Sequence, residues 1–272
     1  VTLANGLTTT TSYDAAGRVV AEARQAAGVE LGTTTYRYDA LDRLYEEVDA
    51  SGRWRRYLYD GRGRRVGEVD GAGSLTAYLY DALDRRIVSY RFATAVDAAR
   101  LTGRPESWTL AALAPARHAG TDQIALDFYD AAGRRVRSVE VTGSTVEYRY
   151  DAVGREVARR AYANRVSPSY VLWTGGKVYE AMMQATALPV SDLAMHRWAV
   201  PGQNEANDRV ERRFYDGDGQ LTGVLDGEGG LTEYRYDAAG RQVATVRYAT
   251  ACAAALRATG SLAALRPAAT AA

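Results

Sequence analysis

One six-residue word, Tyr-Asp-x-x-Gly-Arg, recurs along this chain and restricts its fold more than any other feature. Copies begin at Tyr13, Tyr38, Tyr59, Tyr80, Tyr129, Tyr150, Tyr215 and Tyr236. The second residue is Asp in all eight. The fifth is Gly except where Asp42 and Asp84 stand, and the sixth is Arg except at Gln220. A fixed word at a fixed spacing marks a repeat architecture. Between Tyr59 and Tyr80 the 21-residue unit reads as a turn (Asp60-Gly61-Arg62-Gly63), an outgoing segment to Val69, a second turn (Asp70-Gly71-Ala72-Gly73) and a return segment, Ser74 to Tyr80. Two short segments and two Gly/Asp turns predict a β-meander. A helix of ~10 residues has no room between such breakers.

The word itself suits a hairpin turn. Its Asp accepts backbone N–H groups two residues on. Its Gly supplies a positive φ, a conformation that Asp visits more readily than most residues. On the return segments tyrosines stand two apart (Tyr36 and Tyr38, Tyr57 and Tyr59, Tyr78 and Tyr80, Tyr148 and Tyr150, Tyr234 and Tyr236), hence on one face. Charged residues lie between and before them (Arg37, Glu147, Arg149, Glu233, Arg235). The expectation is a tyrosine stripe on one face and a mixed Arg/Glu ladder on the other.

The array is read as one continuous unit over 1–272, divided into repeats at 8–91, a helical insertion at 92–121, a repeat pair at 122–163, an irregular or helical insertion at 164–206, a pair at 207–248 and a cut-short helical insertion at 249–272. In the first insertion Ala93 to Leu101 looks helical, and Ser107 is placed to cap a second helix, Trp108 to Ala114, stopped by Pro115. The second has a helix-like core, Val178 to Ala185. The third copies the first: Arg91-Phe-Ala-Thr-Ala95 returns as Arg247-Tyr-Ala-Thr-Ala251, and the Leu-Ala-Ala-Leu words at 110 and 262 also match. The opening Val-Thr-Leu-Ala-Asn-Gly, without Met, and the close inside an insertion are expected of a fragment.

Hydrophobic content of 47% argues against disorder, and a net charge of +1 gives no electrostatic reason to expect nucleic acid. No apolar run reaches the ~18 residues of a membrane-spanning helix. His118 and His196 stand in different insertions without a second ligand at metal spacing, so no metal site is expected. Cys252, the single cysteine, lacks a neighbouring His and reads as a buried small hydrophobe. The runs Asp216-Gly-Asp218-Gly and Asp226-Gly-Glu228-Gly-Gly230 look like calcium loops but lack the distal Glu, and hairpin turns need the same residues. No catalytic residue and no cofactor is assigned. The segment from Trp173 to Trp198, with Met182, Met183 and Met195, is expected to pack on the sheet, with a ligand patch as the sharper alternative.

These words resemble the YD repeats of the RHS family, which includes bacterial RHS proteins, the B and C subunits of insecticidal toxin complexes, and teneurins. The resemblance covers Thr8–Tyr90, Asp122–Tyr162 and Asp208–Tyr248. It implies a mainly β fold, a strip of antiparallel hairpins that builds a shell, here with short helical insertions. It also implies a secreted or surface location, and as partners the rest of a parent protein and an enclosed C-terminal effector. The closing domain and self-cleavage site of toxin members have no counterpart here. The implied role is structural and non-catalytic. The alternative is adhesion through glycans stacked on the tyrosine stripe, with Tyr148 and Tyr234 as contacts.

Overall fold

The computed structural model describes residues 6–102, 105–184, 201–204 and 206–267. Its strands are β1 (Leu7–Tyr13), β2 (Val19–Ala26), β3 (Val29–Tyr38), β4 (Leu44–Val48), β5 (Trp54–Tyr59), β6 (Arg65–Asp70), β7 (Leu75–Tyr80) and β8 (Arg86–Arg91). They continue as β9 (Gln123–Tyr129), β10 (Arg135–Glu140), β11 (Thr145–Tyr150), β12 (Glu156–Ala161), β13 (Arg209–Tyr215), β14 (Leu221–Leu225), β15 (Leu231–Tyr236) and β16 (Gln242–Arg247). The fold is mainly antiparallel β, as the sequence predicts. Two compact units are present: Val1–Ile124 with Thr174–Leu188, and Ala125–Trp173 with Pro189–Ala272. Within each, strands pair antiparallel with their sequence neighbours.

The motif turns have the expected chemistry and one bond more. In the turn after Tyr59, Gly63 N–H donates to Asp60 O and Asp60 N–H to Arg64 O. Asp60 Oδ1 accepts from Arg62 N at 2.9 Å, the bond foreseen, and also from Arg64 N at 2.9 Å. Gly63 has φ 80°, and Asp42 and Asp84 take its role with φ 62° and 59°. At the motif tyrosine the pairing slips: Leu58 faces Gly67 but Tyr59 faces Arg65. The same slip recurs at Tyr13, Tyr38, Tyr80, Tyr150, Tyr215 and Tyr236. Such a bulge adds local twist, and no composition signal announces it.

The two faces differ from the expected stripe and ladder. Tyrosines two apart do share a face, but arginines and glutamates stand among them: Tyr57 faces Glu68, Glu68 faces Thr76, and Thr76 faces Arg91. The other face is a covered core. Leu58 faces Gly67, Gly67 faces Ala77, and Ala77 faces Tyr90, and Leu58, Ala77 and Tyr90 are buried. Two carboxylates on this face are sealed, not solvated: Glu46 and Glu233 are each 4% exposed. Glu46 is held by Arg37 and Arg56, and Glu233 by Arg266 and the Tyr248 hydroxyl. A buried carboxylate is tolerated only when paired in this way.

What covers that face is the insertions, and each starts alike. Phe92 N–H donates to Leu75 O and Val96 N–H to Gly73 O. Tyr162 and Val166 repeat this on Thr145 and Gly143, and Tyr248 and Cys252 on Leu231 and Gly229. These two bonds tie Phe92 and Val96 to β7 and its turn, with a bend at 93–94, so the helix expected from Ala93 is confined to a 3-10 turn, Ala98–Leu101. The second helix is also shorter than expected. It spans Leu110–Leu113 and is capped by Thr109, whose side chain accepts from Ala112 N. Ser107 lies in a separate turn, Pro105–Ser107. In the third insertion Ser261 caps Leu262–Leu265, so Ser261 corresponds to Thr109. The second insertion's helix is longer than expected, Pro168–Gln184. It opens on proline, whose missing N–H costs nothing at a helix start. Its Val178, Ala181 and Met182 are buried, and Tyr179 reaches Phe92 with ring centroids 6.3 Å apart. Ala185 lies outside the described residues.

One carboxylate closes the base of each of the first two insertions. Asp122 Oδ1 accepts from Ala93 N at 2.8 Å, and Oδ2 accepts from His118 N at 2.8 Å and the Tyr90 hydroxyl at 2.7 Å. Asp208 repeats the clasp on Ala163 N and Asn204 N.

Candidate functional site

The polar sheet face is the natural place to seek a site, because the motif side chains gather there. They are spent on one another. The motif arginine turns back on its own aspartate: Arg64 Nε donates to Asp60 Oδ2 at 2.7 Å, and the pairs Arg18–Asp14, Arg43–Asp39, Arg85–Asp81, Arg134–Asp130, Arg155–Asp151 and Arg241–Asp237 do the same. Its guanidinium then lies over the tyrosine of the next motif, at 4.6 Å for Arg43 over Tyr59 and 5.0 Å for Arg64 over Tyr80. That tyrosine returns the contact: Tyr59 OH donates to Leu44 O at 2.6 Å and Tyr80 OH to Arg65 O at 2.6 Å. The relay runs across the second insertion, where Arg155 lies 4.0 Å from the Tyr215 ring. From sequence alone this motif arginine has no assigned partner. Its sixth position, four residues after the aspartate, was the signal.

The first tyrosine is engaged as well in the pairs that begin at Tyr36, Tyr57, Tyr78 and Tyr148. Tyr57 OH donates to Glu47 at 2.9 Å, and Arg65 stands 4.0 Å over its ring. Tyr78 is covered by Arg86 at 5.2 Å and Tyr148 by Arg135 at 4.4 Å. Tyr148 is buried and Tyr234 half-buried. A sugar needs a free ring face and a free hydroxyl, and at Tyr57 both are occupied.

The motif carboxylates paired with a motif arginine are held below their ordinary range. At Asp14 the leading cause is the Arg18 side-chain hydrogen bond. At Asp130 and Asp237 it is the backbone N–H of the following arginine. At Asp39, Asp60, Asp81 and Asp151 burial pulls upward and is outweighed by bonds from the arginine four residues on. A depressed folded value stabilises the fold above the unfolded carboxylate range, and that contribution is lost as pH falls through the folded values. Thermal unfolding followed by circular dichroism is therefore expected to give a midpoint that is level from pH 7 to about 5 and drops steeply below about 4, where unfolded aspartates begin to take up protons.

The other sequence candidates do not converge. The His118 side chain is exposed, and the residue contributes its backbone to the Asp122 clasp. His196, Met195 and Trp198 lie outside the described residues, and the Trp173 side chain is not described. Cys252 is buried, and burial pushes its thiol up. Asp216 and Asp226 hold their own turn amides, while Glu228 pairs with Arg209. Among the described residues no three His, Cys, Asp or Glu side chains cluster as metal ligands, and no helix is long and apolar enough to cross a membrane.

The RHS Repeat family model matches residues 1–30, 129–166 and 215–251. No curated protein sequence matches the chain. Among solved structures the chain is similar to the TcdB2-TccC3-TEV complex, at 15% identity, with a TM-score of 0.44, over 87% of this chain and 11% of that one. It is also similar to TcdB2-TccC3 without its hypervariable C-terminal region (14% identity, TM-score 0.44, 88% of this chain and 12% of that one). A third similar structure is a Tc holotoxin pore of Photorhabdus luminescens (14% identity, TM-score 0.41, 88% and 11%). The chain thus spans about a tenth of the length of these structures. The family matches fall on stretches where the motif recurs, one in each of the three repeat-bearing segments.

Proposed function

We propose that this chain is a wall segment of the β-shell of a larger RHS protein, and that it contributes no catalytic group of its own. The observation that carries this is the relay. Motif side chains that a binding surface would present are consumed in joining each hairpin to the next. Repeat arrays are stabilised by such neighbour contacts. In the parent protein the shell would separate an enclosed C-terminal effector from the surroundings, in keeping with a secreted or surface toxin.

A wall has an inside and an outside, which accessibility measures. Single cysteines are introduced in the assembled parent protein, with Cys252 replaced by serine. Ser89→Cys reports the tyrosine face and Ala111→Cys the insertion face. One of them is expected to react with a small maleimide yet resist a 5 kDa polymer-maleimide until the shell is opened by denaturant. Equal, rapid reaction of both with the large reagent in the native protein would sink the proposal.

A further inference from the structure

One motif departs from the relay, and the departure exposes a carboxylate and a tyrosine ring together. The complete arrangement stands one repeat pair earlier in the same unit. There Arg134 Nε donates to Asp130 Oδ2 at 2.8 Å and its Nη1 to Asp151 O at 3.4 Å. Its guanidinium lies 4.9 Å from the centre of the Tyr150 ring. In the next pair Gln220 takes the place of that arginine, with Asp216 and Tyr236 in the places of Asp130 and Tyr150. Asp216 Oδ1 accepts from Asp218 N and Gln220 N, so the turn itself is intact. Among the described residues no side-chain donor reaches Asp216 Oδ2. Tyr236 OH keeps its bond to Leu221 O at 2.9 Å, but no guanidinium covers the ring. The Gln220 amide runs toward the following turn, with Nε2 2.8 Å from where a Cβ on Gly240 would stand.

The neighbouring tyrosine has lost its cover too. Tyr148 is buried beneath Arg135 at 4.4 Å and Arg159 at 5.8 Å. Leu221 and Thr245 hold the corresponding places around Tyr234, which is half-buried. Tyr234 faces Thr245, and Thr245 and Val243 are exposed on that face. Three arginine positions of the second repeat pair are thus neutral in the third, and all three border Tyr234 and Tyr236.

We propose that this face binds an arginine-bearing segment of a partner protein. One guanidinium lies over the Tyr236 ring and donates to Asp216 Oδ2, the two contacts that Arg134 makes on Tyr150 and Asp130. The flanking residues of the segment rest on Tyr234, Leu221 and Val243. Gln220 makes no side-chain bond that its displacement would break. Arginine is favoured over lysine because a planar fork can stack on a ring and bond a carboxylate at once. A segment is favoured over free arginine because one half-exposed ion pair and one ring contact bind weakly. The inference goes beyond the wall reading and does not depend on it.

The test is a titration of the 272-residue chain, followed by the ring signals of Tyr234 and Tyr236 in nuclear magnetic resonance and assigned with Tyr→Phe variants. The probe is a synthetic peptide of Ala132–Ser138, which carries Arg134 and Arg135 in their native spacing. It is expected to shift both rings saturably, with a dissociation constant of about 1 mM. The peptide with lysine for both arginines, and N-acetyl-arginine methylamide alone, should each bind about fivefold or more weakly. Gln220→Arg restores the residue of the other seven motifs. It is expected to fold and to abolish the Tyr236 response by filling the place from within. Asp216→Asn, which keeps the turn-forming oxygen, should weaken binding about fivefold if the first variant fails to fold. No saturable shift, an equal response to the lysine peptide, or an unchanged response in folded Gln220→Arg would overturn the site. Equal affinity for the peptide and the capped amino acid would overturn the partner segment.

Discussion

Asp122→Ala is expected to lower the stability of the chain by about 3–4 kcal/mol, the cost of leaving several donors to a buried charge without an acceptor. Denaturant unfolding is the measurement. The carboxylate ties both ends of the first insertion, through Ala93 N and His118 N, and takes the Tyr90 hydroxyl as a third donor. Tyr90 is only 2% exposed, so water cannot replace that acceptor. Burial first, and then the Asp122 bond, hold the Tyr90 phenol far above its ordinary value. Tyr90→Phe alone should cost about 1 kcal/mol, because Asp122 keeps its two amides. In the double variant the orphaned hydroxyl no longer exists, so the loss should be smaller than the sum of the two single losses by about 1 kcal/mol. Additive losses would show that the clasp acts through the insertion backbone alone.

That clasp marks the limit of what the sequence makes legible. The hairpins follow from local chemistry: Asp60 and Gly63 shape their turn with bonds inside five residues, and alternation places Tyr57 and Tyr59 together. The insertions answer to distant partners. A helix from Ala93 is locally plausible, yet Val96 bonds Gly73 and the segment stays non-helical as far as Asp97. Leu110 settles on the sheet because Gly67 leaves room there: a Cβ on Gly67 would stand 3.1 Å from Leu110 Cδ2. Leu262 uses Gly223 likewise, with 2.7 Å to the corresponding Cβ. The second insertion lacks the Leu-Ala-Ala-Leu word, and the equivalent sheet position is Arg137. The relay sits between these cases. Its aspartate–arginine pair is visible as a four-residue spacing, but its tyrosine partner is 16 residues on in the pair Arg43 and Tyr59. Only the paired strands bring those two together.

The same reasoning separates glycines that look alike in sequence. Gly133 and Gly143 both close turns, with φ 81° and 78°. At Gly133 an added Cβ meets nothing within 4 Å. At Gly143 it would run into the Val166 carbonyl oxygen and stand 3.2 Å from Arg165 Cβ, where the second insertion leaves the sheet. Gly133→Ala should therefore cost about 1–2 kcal/mol, the penalty of a left-handed alanine. Gly143→Ala should cost about 4 kcal/mol, because the insertion base must also move off the sheet and weaken the Val166 bond. The chain's own substitutions follow this division. Asp42 and Asp84 replace glycine at motif turns of the same kind as the open ones at Gly17 and Gly63, and Ala27 also holds a positive φ. At the three turns that receive an insertion the residue is always glycine: Gly73, with the Val96 oxygen 2.9 Å from a Cβ position, Gly143, and Gly229 against Arg257. Equal losses for Gly133→Ala and Gly143→Ala in denaturant unfolding would mean that backbone strain alone decides, and that the insertions dock too loosely to notice a methyl group.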